Sequence, residues 1–293
     1  MLARIQKEKL KRLLSPAAVA HYHTCRLALI GAYRQAYSLF YRGSGYYCPF
    51  CGQSHRRFLP DGSRAKVIKR YNVIGGGYRT NCLCPACGSK DRERLLYAFL
   101  QQYPLLKDNR QADNLFLGAS ELFVLHIAPE KNLKKVLQKT PNLTYINADL
   151  DAGAADIRMD ITQISYPDNY FDVILCSHVL EHIPNDIMAM RELYRVLKPQ
   201  GVAILQVPFA EKLTRTYEDF NIISPADREI YFGQFDHVRI YGQDYLHRLR
   251  SVGFVPTVYE ASDFLKQDTI DLQQLIANEK VFLCQKQTFL SAV

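Results

Sequence analysis

The sequence predicts an α/β protein: an open, mostly parallel sheet covered by helices on both faces fills the second half, and a small metal-held ribbon precedes it. Three observations carry this prediction. Apolar runs of strand length alternate with helical patterns from residue 122 onward, two copies of Cys-Pro-x-Cys-Gly are separated by 32 residues, and the charge is divided between the two parts. With 293 residues, 48% of them hydrophobic and 23% charged, the chain suffices for one large core and one smaller module.

The N-terminal stretch 1–42 reads as basic, amphipathic helices. Arg4, Lys7, Lys9, Lys11 and Arg12 interrupt any apolar signal core before Pro16, and Arg26 and Arg34 cut the apolar run over 17–41 too short to span a bilayer. These features argue for a cytoplasmic protein, peripheral at most to an inner membrane surface. Residues 1–94 hold 18 basic and 4 acidic side chains, a net +14, while the remainder carries −6. The first third is therefore the candidate surface for RNA phosphates or anionic lipid, unless its charges simply keep a small domain soluble.

The ribbon is expected over residues 43–90. Cys48-Pro-Phe-Cys51-Gly and Cys84-Pro-Ala-Cys87-Gly each place two thiolates on a tight turn, the pattern of a tetrahedral four-cysteine zinc site, and the glycine after each second cysteine can adopt the left-handed conformation such knuckles use. Eight cysteines in a chain without an export signal are thiols or ligands in preference to disulfides. Cys82 falls outside the repeat and is read as non-ligating. Four sulfurs close the coordination sphere, so this zinc holds structure and leaves no position for substrate. Between the knuckles, residues 66–74 and Gly75-Gly-Gly77 read as short strands around a turn. Ser89 is the expected N-cap of a helix whose face carries Leu95, Leu96, Phe99 and Leu100, and a polar linker over 107–114 completes the 91–121 connection.

Over residues 122–293 the expected strands are 122–127, 143–148, 171–176, 202–207, 254–259 and 280–285, with helices over 130–139, 185–197 and 244–251. In open α/β sheets the ligand lies outside the carboxyl ends of the strands, so the residues that follow them form the candidate site. Asp149, with Leu150 and Asp151 beside it, is placed to accept from the ribose hydroxyls of a nucleoside. Asp160 can accept from an adenine amino group while the Ile161 backbone meets the ring. Ser177 and His178 close the fourth strand end.

Asp172-Val-Ile-Leu-Cys-Ser-His-Val-Leu-Glu-His-Ile, followed by Glu192-Leu-Tyr-Arg-Val-Leu-Lys-Pro-Gln-Gly, resembles the fourth and post-fourth motifs of class I S-adenosylmethionine-dependent methyltransferases of the type 11 kind. The ribbon, the Ala-Pro-Glu motif and Gly233-Gln-Phe-Asp-His-Val-Arg239 are similar to a bacterial branch found among polysaccharide-biosynthesis genes. The resemblance covers 122–293 and implies a Rossmann-like sheet of seven strands with S-adenosyl-L-methionine as cofactor. One departure stands out, since the usual acid-x-Gly-x-Gly loop is here His126-Ile-Ala-Pro-Glu130. Ala128 must then be small enough for the cofactor, Pro129 must set the turn, and Glu130 replaces the acid that His126 displaces.

Methyl transfer is an in-line displacement governed by positioning, and a hydroxyl acceptor needs a base. His178 and His237 are the candidate bases, with Asp236 orienting His237 and His182 read as structural. The long segment 209–241 is placed to cover the site, with Phe209, Arg239 and Tyr241 as acceptor contacts and Arg239 as an anion clamp. The Asn-Pro-Pro-Tyr tetrad of adenine methylation is missing, which argues against DNA as a substrate. A sugar, glycan intermediate or related small metabolite is the expected acceptor; RNA held by the basic ribbon, or a non-enzymatic binding module on a retired scaffold, are the alternatives.

Overall fold

A computed structural model describes residues 36–103, 121–151 and 153–286, so the expected basic helices before residue 36 and the 107–114 linker lie outside the described residues. The central sheet contains β1 (Leu122–Ile127), β2 (Leu143–Asp149), β3 (Ile157–Arg158), β4 (Phe171–Ser177), β5 (Leu197–Gln206), β6 (Phe254–Glu260) and β7 (Lys280–Lys286). Their spatial order is β3-β2-β1-β4-β5-β7-β6. Strands β1 to β5 run parallel, and β7 is antiparallel to both neighbours. The winding reverses between β1 and β4, so a crevice opens at their carboxyl tips.

Nearly every residue of the central strands is apolar because both faces are covered. On one face Leu125, Ile127, Ile174, Cys176, Ala203 and Leu205 meet Ala189, Met190 and Leu193 of a helix over Asp186–Val196. On the other, Val124, Val173, Leu175 and Ile204 meet Leu95, Leu96, Phe99 and Leu100 of the helix Asp91–Gln102. The helix that follows the second knuckle is thus part of the sheet's own covering layer.

In chain order the helices used below are α1 (Lys66–Arg70), α2 (Asp91–Gln102), α3 (Lys131–Leu137), α4 (Asp186–Val196) and α5 (Pro225–Phe232). The ribbon's hairpins pair Arg42–Cys48 with Gln53–His55 and Leu59–Asp61 with Arg79–Leu83. Helix α1 corrects the expected strand over 66–74. Its Val67 and Ile68 pack with Phe232 and Ile240, 164 to 173 residues downstream, and this partner determines the local conformation over the β-branched content of the segment. Only Val73–Ile74 remains a strand, and it pairs antiparallel with Phe209–Ala210 just beyond β5. The ribbon is thereby joined to the sheet tips by backbone hydrogen bonds.

A second correction concerns Ser89. Helix α2 starts at Asp91 behind Lys90, which makes no side-chain cap bond, because the Ser89 hydroxyl faces Cys48 Sγ at 3.1 Å and accepts from Arg94 Nη1 at 3.2 Å. Strand β5 also begins earlier than expected: Leu197 already pairs with Phe171, and Lys198-Pro-Gln-Gly forms a bulge in which Gln200 has φ +64°.

Candidate active site and metal centre

Four thiols converge in the ribbon. Cys48 Sγ lies 3.5 Å from Cys87 Sγ and Cys51 Sγ 3.8 Å from Cys84 Sγ, with all four within 4.8 Å of one another. Sulfurs about 2.3 Å from a tetrahedral cation stand about 3.8 Å apart, so the donor set fits one metal ion. Gly52 and Gly88 have φ +66° and +73°, and each donates its N–H to the carbonyl of the first cysteine in its knuckle at 2.9 Å. Cys82 points away toward the carbonyls of Asp61 and Arg79.

Arg94 ties this centre to the sheet domain. Fully buried, it donates to the carbonyls of Ser89 (2.7 Å), Cys82 (2.8 Å) and Gln273 (2.9 Å), and it lies over the Phe58 ring at 4.6 Å. Its neighbour Glu93 reaches the other way and accepts from the N–H groups of Asn132 and Leu133 at the start of α3, a helix whose own N-cap residue supplies no bond. Burial pushes the Glu93 carboxyl upward.

The crevice side is built from the tips of β1, β2 and β3. Ala128 occupies the left-handed region at φ +47°, the conformation for which a glycine is usual, and a single methyl is the smallest side chain that still fits it. Its N–H bonds to Ala148 O at 2.8 Å. His126 is buried between Tyr145 Oη (2.9 Å) and Glu130 Oε2 (2.7 Å). Burial raises the Glu130 carboxyl, but the hydrogen bond and charge of His126 outweigh it and the net shift is downward. Asp149 Oδ1 accepts from Asp151 N at 2.8 Å, Leu150 is exposed, and exposed Asp160 accepts from Thr162 N and Oγ1 at 2.8 and 2.7 Å. Ile161 and Ser177 are buried beside these tips.

Beyond the tips of β4 and β5 lies a cavity of about 510 Å³, lined by Lys90 and Arg92 from the ribbon side and by His178, Glu181, His182 and His237 from the sheet side. His178 and His237, 59 positions apart in sequence, are thus brought to one carboxylate: Glu181 Oε1 lies 3.4 Å from His178 Nδ1 and 4.0 Å from His237 Nε2. Glu181 is 1% exposed, neither of its oxygens accepts a hydrogen bond, and burial raises its carboxyl to about 8. Burial likewise lowers His237 to about 3 and His178 well below the usual imidazole value, so both rings are neutral at pH 7. His178 is itself left-handed at φ +56°. Gly75, at φ +84°, fits against it where an added Cβ would come within 3.3 Å of the His178 ring and 3.2 Å of Glu279 Oε1.

Three expectations for the segment 209–241 are corrected. Arg239 is no free anion clamp: fully buried, it donates to the carbonyls of Leu180 (3.0 Å), Ile183 and Pro184 (2.8 Å) and pairs with Glu218 at 2.8 Å. Tyr241 has no exposed surface and gives its hydroxyl proton to Asp186 at 2.8 Å, while Phe209 packs on Phe282 beneath the cavity floor. Asp236 serves His182 and not His237, its carbonyl at 3.3 Å and its carboxylate at 3.6 Å from His182 Nδ1. Sequence reasoning passed over Arg92, Glu181 and Glu279, which meet across the contact between the ribbon and the sheet tips. The one available signal was Glu181 in the Leu-Glu-His run, an acid in an apolar turn.

Strand order, reversed winding and acids at the tips define a ligand-binding α/β sheet with a second, ribbon-walled cavity beside the crevice. Residues 119–205 match the model of a family described as a methyltransferase domain. The chain is 32% identical over 68 residues to a ubiquinone/menaquinone biosynthesis C-methyltransferase of Vibrio cholerae, a stretch covering 22% of this chain and 26% of that one. It is 31% identical over 83 residues to the protein of the same description from Yersinia enterocolitica, covering 27% and 29%. The chain therefore spans little more than a quarter of the length of these relatives. Among solved structures, the cyclase SpnF aligns over 69% of this chain and 85% of its own at 14% identity and a TM-score of 0.44. A phosphoethanolamine N-methyltransferase of Haemonchus contortus, in complex with S-adenosyl-L-methionine, aligns over 67% and 52% at 14% identity and a TM-score of 0.42. Among the described residues no helix is long and apolar enough to cross a membrane.

Proposed function

We propose that the chain is an S-adenosylmethionine-dependent methyltransferase acting on the hydroxyl of a small polar acceptor, a sugar or glycan intermediate, with structural zinc in the ribbon. The observation that carries this reading is the pairing of a methyltransferase-domain match over the nucleoside crevice with a cavity of about 510 Å³ directly beyond β4. That volume suits a metabolite and lies within the range of small-molecule sites, roughly 300–1,000 Å³.

The cofactor, when bound, supplies a methyl group on a positively charged sulfur. The residues present fit it: the Asp149 carboxylate for the ribose, Asp160 and the Ile161 main chain for the adenine, and the Glu130 carboxylate for the amino group, with Ala128 keeping the β1 loop low. On the acceptor side, neutral His178 is the base for the hydroxyl proton. Arg92 and Lys90, which line the cavity with the histidines, hold the polar groups of the acceptor. The ribbon supplies Gly62, Ser63 and Gly76 to the cavity wall.

A second reading, RNA as acceptor, draws on the exposed Arg56, Arg57, Lys69 and Arg70 of the ribbon surface. Calorimetry with S-adenosylhomocysteine tests the cofactor assignment, and methyl transfer from labelled cofactor to a panel of sugars and to RNA at several salt concentrations tests the acceptor. Absence of homocysteine-nucleoside binding refutes the enzymatic reading, and transfer confined to RNA with a steep salt dependence replaces the first acceptor class by the second.

A further inference from the structure

We propose that Glu181, His182 and His237 form a second metal site, one for a first-row transition-metal dication, inside the acceptor cavity and separate from the four cysteines. The three side chains offer one ligand atom each within 4.8 Å of one another. Ligands held about 2.1 Å from one ion lie roughly 3–4 Å apart, so the three side chains draw together by up to about an ångström to close on an ion.

The independent observation is Glu181. A carboxylate that is 1% exposed and accepts no hydrogen bond on either oxygen demands a partner, and every histidine that faces it is also a ligand type. The histidines are already oriented for such a role. His182 turns Nδ1 to Asp236 and so has Nε2 left to offer, the arrangement in which an outer carboxylate fixes a ligating imidazole. His237 directs Nε2 toward Glu181, and the imidazoles of His182 and His237 stand nearly perpendicular with ring centres 4.7 Å apart.

The backbone is held as firmly. Val238 N donates to Glu181 O at 2.9 Å, and the Arg239 guanidinium collects the carbonyls of Leu180, Ile183 and Pro184, so the turn bearing Glu181 and His182 is locked to the segment that carries His237 and leads into the strand Arg239–Ile240. Two imidazoles and a single carboxylate favour manganese, iron, cobalt, nickel or zinc over calcium or magnesium, and three protein ligands leave positions open toward the cavity. Arg64, Lys90 and Arg92 are the cations that line the cavity outside the turn and segment bearing the ligands, and Lys90 is engaged by Asp61 at 2.7 Å.

The chemical use of the site rests on the methyltransferase reading. A dication beside the acceptor oxygen lowers the cost of removing its proton. The proton passes to His178, the oxygen–carbon bond to the methyl forms, and the carbon–sulfur bond breaks with its electron pair remaining on sulfur. His237 is then a ligand, and His178 alone is the base.

The test is a titration of the full, zinc-loaded chain with Mn²⁺, followed by electron paramagnetic resonance and calorimetry without cofactor, since manganese does not compete for four thiolates. One Mn²⁺ per chain is expected, with affinity falling at least about tenfold in both Glu181→Gln and His237→Ala while one zinc per chain is retained as the measure of folding. Absence of Mn²⁺, Co²⁺ or additional Zn²⁺ binding in the wild-type chain overturns the proposal, as does binding unchanged in both variants. Metal binding without S-adenosylhomocysteine binding would refute the methyltransferase reading alone; the reverse result would refute the metal site alone.

Discussion

Replacing Arg239 with methionine separates a residue that holds the site together from one that grips substrate. The guanidinium has no exposed surface and makes three bonds to main-chain carbonyls and an ion pair with Glu218. Methionine fills much of the volume but takes the guanidinium's bonds from the carbonyls of Ile183 and Pro184, whereas Leu180 O keeps Ile183 N and the Tyr241 hydroxyl and Glu218 keeps Arg248. Charge-assisted bonds are each worth about 1.5–3 kcal/mol, and breaking a buried ionic cluster from one side costs about 3–5 kcal/mol after relaxation. Urea unfolding followed by circular dichroism reads that loss directly, and the melting temperature should fall by roughly 6–20 °C. Arg239→Lys should recover only part of the stability, since an ammonium cannot serve diverging carbonyls with a planar fork. Within 1 kcal/mol of wild-type stability, together with a raised KM for the acceptor, Arg239→Met would show that the side chain clamps substrate and refute the structural argument.

Further expectations concern the cofactor, the ribbon and pH. Asp149→Ala should weaken S-adenosylhomocysteine binding at least about tenfold without affecting unfolding, the loss expected for a charge-assisted bond of about 1.5–3 kcal/mol to the ribose; calorimetry showing wild-type affinity would remove Asp149 from the site. Cys84→Ser should lose the ribbon's zinc on dialysis and, because Arg94 and the 73–74 strand join the ribbon to the sheet tips, abolish acceptor turnover as well. A zinc assay beside an activity assay checks both. Glu279 is buried and its carboxyl is raised from 4.5 to about 8. The stability this shift contributes is therefore complete below pH 4.5 and is lost as pH rises toward 8, at about 1.4 kcal/mol per pH unit. Glu279→Gln should gain on the wild type across that window and level off above it; parallel urea curves from pH 5 to 9 would contradict this.

Strands β1, β4 and β7 were legible to within a residue or so because burial on both faces writes apolar runs between clear turns, and the half-buried β2 and β6 because β-branched and aromatic residues stand between turns. Two-residue β3 was not, as it carries too little pattern to stand out. The convergence of the four cysteines was also readable, since it depends on local spacing. What escaped was decided across distance. Val67 and Ile68 became helical against α5, Ser89 was claimed by a sulfur and a guanidinium, and Arg239 was drawn inward by carbonyls 55 to 59 positions earlier. His178 and His237 could be nominated singly, but the acid between them is recognisable only when its oxygens are seen to lack partners.

The antiparallel pairing of Val73–Ile74 with Phe209–Ala210 has an evolutionary corollary. The cavity beyond β4 takes one wall from the ribbon and the other from the sheet half, so on the methyltransferase reading mutation in the upstream stretch can retune the acceptor while leaving the tips of β1 to β3 intact. Conversely, neither stretch can be transplanted alone. A chimera bearing a foreign ribbon must preserve those few backbone contacts, or the chamber loses that wall and the exchanged specificity with it.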